Sequence, residues 1–214
     1  HWMVHSFPTR RSSDLVTEAL FTTVTNVNFD PASVAGIVRK AAVMKDAAKK
    51  LYEDACARAG RQPEKLDGPA AWSPAATMDD LIRQGEGVSI EAQLETFGTD
   101  AGALMELLVY GLKGTAAYAD HALVLGREDD SVYAFFHEAL DFLTRPAIKV
   151  DELLGMVLRC GEVNLKVMGL LDAANTGTYG HPVPTPVRIT PVKGKAILVS
   201  GHDLKDLDAQ IGRA

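Results

Sequence analysis

The sequence predicts a mainly α protein: a helical-bundle domain on the N-terminal side, followed by the first βα unit of an α/β domain that is cut short. Three observations predict it. Apolar residues recur at helical spacing behind capping residues over most of 30–174. Aromatics make up only 7% while Ala and Leu are plentiful. After Asn175 the texture changes to a Pro- and Gly-rich stretch and then one short apolar run.

Each element follows from local signals. Asp30 can cap a helix, and Pro31 suits the first helical position because its missing N–H would be unpaired there anyway. Val34, Ile37, Val38, Ala41, Met44, Ala48, Leu51 and Ala55 then form an apolar stripe, and Gly60 ends it. Arg61 to Ala76 carries Pro63, Pro69 and Pro74 and reads as a loop. Thr77-Met-Asp-Asp80 resembles a capping box ahead of Leu81 and Ile82. A short helix is expected from Ser89 to Phe97. Asp100 is expected to cap a long helix with Leu104, Leu107, Leu108, Leu112, Ala116, Ala119 and Leu123 inward, stopped by Gly126. Asp130 to Thr144 is the next helix, ended by Pro146. Asp151 opens the last long one, with Leu154, Leu158, Leu165, Met168 and Leu171 as its inward stripe, to about Ala174. Residues 30–59 and 100–174 are expected to pack as two antiparallel bundles.

The stretch Asn175–Pro186 holds three prolines and two glycines in twelve residues and is expected to be irregular. Lys195–Ser200 is a short apolar run of buried-strand type, with 196–200 the one clear strand. Gly201-His202-Asp203 is a tight turn, and Leu204 and Leu207 open a helix.

The ends read differently. Residues 1–15 lack both the apolar core of a signal peptide and any regular periodicity. His5 to Leu15 matches the translation of a common sequencing-adapter DNA, and Ile211 to Ala214 matches its complement. The expected organisation is a non-native tail over 1–15, a helical domain over 16–190, the start of a truncated Rossmann-like α/β domain over 191–210, and a non-native tail over 211–214.

Composition narrows the function classes. A net charge of −6 with pI near 5.5 gives no electrostatic footprint for nucleic acid. No apolar run reaches the roughly 20 residues of a membrane span. Two cysteines, Cys56 and Cys160, make neither a disulfide framework nor a four-thiolate site by themselves. The phosphate-loop, HExxH and CxxC patterns are absent. His121, beside Asp120, and His137, beside Glu138, read as structural or surface residues. Cys56 and Cys160 read as small packing residues. Tyr110, Tyr118, Tyr133, Phe135 and Phe136 at helical spacing read as core. His202 follows the carboxyl end of the apolar run, where α/β domains collect ligands, and imidazole is a common metal ligand. Spacing alone nevertheless favours a turn histidine hydrogen-bonded near Asp203.

Five stretches carry a resemblance: Leu20–Asp30, Tyr110–His121, Cys160–Leu165, Ala173–Pro186 and Ile197–Leu207. The last contains Ser-Gly-His-Asp-Leu. Across 16–210 the chain closely resembles the hybrid cluster protein family, also called the prismane or hydroxylamine reductase family. The resemblance implies a three-domain iron–sulfur enzyme with one helical and two α/β domains. It implies a hybrid 4Fe-2O-2S cluster between the domains and a second iron–sulfur cluster, 4Fe-4S or 2Fe-2S, on cysteines near the natural N-terminus. It makes His202 an iron ligand of the hybrid cluster, reversing the reading from spacing. It also marks Thr25 and Asn26 as weak candidates for the cluster cavity, although a helix-end or turn role satisfied by backbone bonds stands ahead. The implied reaction is reduction of hydroxylamine to ammonia and water, or of nitric oxide, with an electron-donor protein, in the cytoplasm. Partners that are nucleic acids or membranes are not expected. The N-terminal cysteines and the later Glu and Cys ligands are absent, so no cluster is expected in this chain alone. Carbon monoxide dehydrogenases share the architecture. A metal-free helical docking module is the reading from a different class.

Overall fold

A computed structural model describes residues 9–24, 29–198 and 204–211, and every regular element among them is a helix. In chain order these are α1 (Thr9–Thr22), α2 (Pro31–Arg58), α3 (Gly68–Ala71), α4 (Met78–Glu86), α5 (Ile90–Phe97), α6 (Thr99–Val124), α7 (Asp130–Leu143), α8 (Val150–Tyr179) and α9 (Leu204–Ile211).

Local chemistry sets most boundaries. Asp30 accepts from the backbone N–H of Ala32 and Ser33 at 3.0 and 3.2 Å, and Pro31 opens α2. Thr77 caps α4 through Asp80 N, and Ser89 caps α5 through Ala92 N. Gly60 and Gly126, at φ 65° and 77°, close off α2 and α6 in the left-handed region. Asp100 does not cap α6. Gly98, at φ 80°, both ends α5 and begins α6, so the helix starts earlier and Asp100 falls in its first turn. The proline-rich loop includes the one-turn α3 and lies back along α2. There Lys45 Nζ donates to the carbonyls of Ala70 and Trp72, and the Tyr52 hydroxyl accepts from Glu64 N at 3.0 Å.

The core sits where α6, α7 and α8 meet. Phe135, Phe136, Leu108, Leu112, Val132, Leu153 and Val167 are almost fully buried there, and burial of each such side chain contributes on the order of 1.5–3 kcal/mol. Gly111 faces Cys160, Thr115 faces Asn164, and Arg127 lies against Gly177, so paired positions climb together and α6 and α8 run parallel. α7 runs the other way: Asp129 pairs with Lys166 at its start and Glu138 with Arg159 further along. The expected antiparallel packing therefore holds for α7 and not for α6 against α8.

Three further expectations change. The N-terminal stretch is helical from Thr9, against the expected lack of periodicity. Leu15 and Thr17 are buried, and Val16 and Leu20 pack on the core. Tertiary burial overrides a weak local pattern there. The α8 stripe is turned: Leu153, Cys160, Val167 and Ala174 face the core, whereas Leu154, Leu158, Leu165 and Met168 are exposed. On α6, Leu107 is likewise exposed, and on α2 only Ala35 is buried. α8 also runs five residues past the expected end, to Tyr179 before Gly180 at φ 81°.

The described part of the expected strand, 196–198, has no strand pairing, and Ile197 and Leu198 are exposed. A strand exists through hydrogen bonds to a neighbour, and no neighbour is formed among the described residues. Residues 199–200 lie outside them. No helix among the described residues is long and apolar enough to cross a membrane.

Candidate functional site

Among the described residues, one concavity is the cleft between α6 and α8, about 480 Å³ and open on one side. Its floor exists because small residues let the two helices approach closely. A Cβ built on Gly111 would lie 3.0 Å from Cys160 Sγ, tight enough that the thiol would have to give way. Tyr110 and Tyr118 form one wall and Val157 part of the other.

Three polar side chains meet at the floor. Thr115, 1% exposed, donates through Oγ1 to the Gly111 carbonyl at 2.8 Å, a bond within its own helix. The same oxygen lies 3.3 Å from Asn164 Oδ1. One hydroxyl proton cannot serve both acceptors fully, so it is shared, or the Asn164 amide is turned to donate. Asn164 Nδ2 also reaches Met168 Sδ at 3.8 Å. Burial pushes the Cys160 thiol pKa up, and a hydrogen bond with Thr115 only partly opposes this. A protonated thiol is a poor nucleophile and a poor metal ligand. The trio pins two parallel helices in register and contains no acid–base pair.

His121 and His137 act as packing groups, in line with the structural role expected of them. The His121 ring meets Phe21 of α1 edge-on, with centroids 5.2 Å apart. His137 Nε2 lies 3.0 Å from Ser13 Oγ of α1. Desolvation lowers the His137 pKa, so its neutral form is favoured. Of the five aromatics expected in the core, Tyr133, Phe135 and Phe136 are buried, while Tyr110 and Tyr118 stand in the cleft with exposed faces.

His202, Thr25 and Asn26 lie outside the described residues. What frames them is described: Thr25 and Asn26 fall between the end of α1 and the Asp30 cap of α2, and His202 stands two residues before the start of α9. No group of three or more His, Cys, Asp or Glu side chains able to hold a metal is assembled among the described residues. Both cysteines are free; Cys160 is committed to the α6–α8 contact, and Cys56 sits on α2. Iron–sulfur clusters take thiolate ligands, usually four. The described donor set does not fit such a cluster. Sequence reasoning missed the Thr115–Asn164 contact altogether. The signal was the glycine spacing Gly111–Gly114, which is visible only once the partner helix is known.

The comparisons with known proteins bear on the whole chain. It is 54% identical over 192 residues to a protein named hydroxylamine reductase from Rhodospirillum rubrum, covering 90% of this chain and 35% of that one. It is 46% identical over 198 residues to a hydroxylamine reductase from Acidithiobacillus ferrooxidans, covering 92% of this chain and 36% of the other. With the hydroxylamine reductase of Geobacter sulfurreducens the identity is 47% over 195 residues. The chain thus spans about a third of the length of the curated relatives it matches. The sequence pattern of one family covers residues 4–213, and on that ground the chain belongs to the Prismane/CO dehydrogenase family.

Proposed function

We propose that the chain is one part of an iron–sulfur oxidoreductase that reduces hydroxylamine to ammonia and water. The observation that supports this reading is a match along nine-tenths of the chain to proteins named for that reaction. The reaction breaks the N–O bond and consumes two electrons and two protons. The electrons come from a redox protein, and nitric oxide is the second candidate substrate. The cofactors are a hybrid 4Fe-2O-2S cluster and a second 4Fe-4S or 2Fe-2S cluster. Their thiolate ligands come from outside the described residues, since Cys56 and Cys160 are not assembled with other donors. A cytoplasmic setting suits a chain whose two thiols are both free.

Within this chain His202 is the residue proposed to bind iron, with its other ring nitrogen held by a hydrogen-bond acceptor. Gly201 before it permits a close backbone approach. Thr25 and Asn26 are weaker candidates for the same cavity. The test uses the longer protein encoded at the native locus, purified without oxygen. Hydroxylamine-dependent oxidation of a reduced viologen dye is expected, together with its loss in His202→Ala along with the spectroscopic signal of one of the two clusters. Carbon monoxide oxidation in place of hydroxylamine turnover would assign the protein to the other branch of its family. Full iron content and normal turnover in His202→Ala would remove that residue from the site.

A further inference from the structure

Among the described residues, three helices have an aspartate at the N-cap, and the three differ in what holds them. Asp30 accepts from Ala32 N and Ser33 N, and Asp129 accepts from Ser131 N while it pairs with Lys166. Asp67 precedes the one-turn α3 and makes no side-chain cap bond. No other described group pairs with its carboxylate. Asp67 and Gly68 are both exposed. The Gly68 N–H, at the first position of the turn, has no acceptor among the described residues. Gly68 stands at φ 51°, in the left-handed region, and nothing lies within 4 Å of where its Cβ would be. The sequence holds no other Asp-Gly or Asn-Gly pair. An aspartate carboxyl carbon and the next amide nitrogen can close a five-membered ring, and the usual hindrance is the next residue's side chain. Here that side chain is missing, the nitrogen is open and the carboxylate is untethered. From φ −130° and ψ −167° at Asp67, a turn of a few tens of degrees about the Cα–C bond brings the nitrogen round to the carboxyl carbon.

We infer that Asp67–Gly68 is a self-modification site, at which the main chain isomerises to an isoaspartyl linkage. The Gly68 nitrogen attacks Asp67 Cγ, and the new C–N bond forms as a Cγ–O bond breaks. The oxygen leaves as water, with the amide proton and one proton from solvent, and a succinimide remains. Water then adds to either ring carbonyl. Addition at Cγ restores the aspartate. Addition at the main-chain carbonyl carbon breaks its bond to the Gly68 nitrogen. The chain then runs through Cβ and Cγ, and the former main-chain carbonyl becomes a free carboxylate. Mass and net charge are unchanged, and no redox partner is needed. The product carries an extra methylene in the main chain at the start of α3. The carbonyls of Ala70 and Trp72, just beyond, receive Lys45 Nζ, so lengthening the chain ahead of them loosens that attachment. The inference rests on neither the reaction nor the clusters proposed above.

The test follows the tryptic peptide Leu66–Arg83 while the longer protein is stored at neutral pH and physiological temperature. A second peak of identical mass is expected to grow in. A protease that cuts before aspartate should fail at Asp67 in that peak and still cut at Asp79 and Asp80. The peak should grow within a few-fold of its rate in the same protein unfolded by guanidinium chloride. A folded rate an order of magnitude or more below the unfolded one would overturn the inference, because the fold would then protect the pair. Asp67→Glu, which needs a larger ring, should abolish the second peak, and its persistence there would also overturn the inference. Asp67→Asn, with ammonia as the better leaving group, should speed the change several-fold. After storage, a short pulse of an acylating reagent should label Lys45 several-fold more in the parent than in Asp67→Glu. Equal labelling would overturn the loosening of the loop.

Discussion

Two adjacent leucines on α8 have opposite surroundings, and that contrast can be measured. Leu153 is fully buried in the core, whereas Leu154, one residue on, is 49% exposed. Leu153→Ala removes three carbons from a closed site. At ~0.8 kcal/mol per buried methylene the transfer cost is about 2.4 kcal/mol, and the cavity left behind brings the loss to about 3 kcal/mol. Leu154→Ala removes the same atoms from a half-wet surface. Its loss is under about 1 kcal/mol, partly offset by the better helix propensity of alanine. Urea melts of the 214-residue chain and of both variants read the difference. With a slope of about 2 kcal/mol per molar, the Leu153→Ala midpoint falls by about 1.5 M and the Leu154→Ala midpoint by less than 0.5 M. Equal shifts in the two variants, or a larger one for Leu154→Ala, would refute the orientation assigned to α8.

Two further outcomes follow from electrostatics. Asp129 caps α7 through Ser131 N at 2.9 Å and pairs with Lys166 Nζ at 2.7 Å. Desolvation raises its pKa, but the hydrogen bonds from Lys166 and Ser131 outweigh this and bring it to about 2. A carboxylate with a depressed folded-state pKa stabilises the fold fully above its unfolded value near 4, and the gain disappears as pH falls through about 2. Asp129→Asn should therefore cost about 1 kcal/mol at neutral pH after allowance for solvent screening. The gap from the parent should narrow between about pH 4 and pH 2; a gap independent of pH would sink the assignment. The thiols give the second outcome. Burial raises the Cys160 pKa, while Cys56 is half-buried on α2. A disulfide reagent should react quickly with Cys56 and with Cys160 only on unfolding. Equal native rates at both would contradict the closed α6–α8 contact.

Boundaries were legible where a side chain or a glycine sets them locally. Asp30, Thr77 and Ser89 announce their helices because a cap needs only residues two or three positions away. Which face of α8 turns inward was not legible. Two interleaved apolar sets satisfy a helical period equally well, and the outer one carries the larger side chains. The inner set includes Cys160 and Ala174, whose small size is what lets α6 approach. The start of α6 was misplaced by two residues because Gly98 joins two helices without any linker, which a capping argument centred on Asp100 does not anticipate. The helix from Thr9 was missed because its burial depends on α6 and α7, through contacts such as Phe21 with His121 and Ser13 with His137 that are remote in sequence. The site was the least legible part. Ligand sets are assembled from distant segments, so spacing alone left His202 as a turn residue, and only the resemblance of Ser-Gly-His-Asp-Leu to a family motif turned the reading.

The loop that lies back along α2 has a consequence for how the molecule opens. α2 shares its buried surface mainly with α1, and the carbonyls of Ala70 and Trp72 are tied to it through Lys45. Helix, loop and tether therefore form a limb whose attachment is lighter than the interlocked α6–α7–α8 centre. Such a limb detaches as a cooperative unit at a lower free energy than global unfolding. Its amide protons would exchange together, ahead of those in α6 and α8, so the chain carries a hierarchy of local openings beneath its global unfolding.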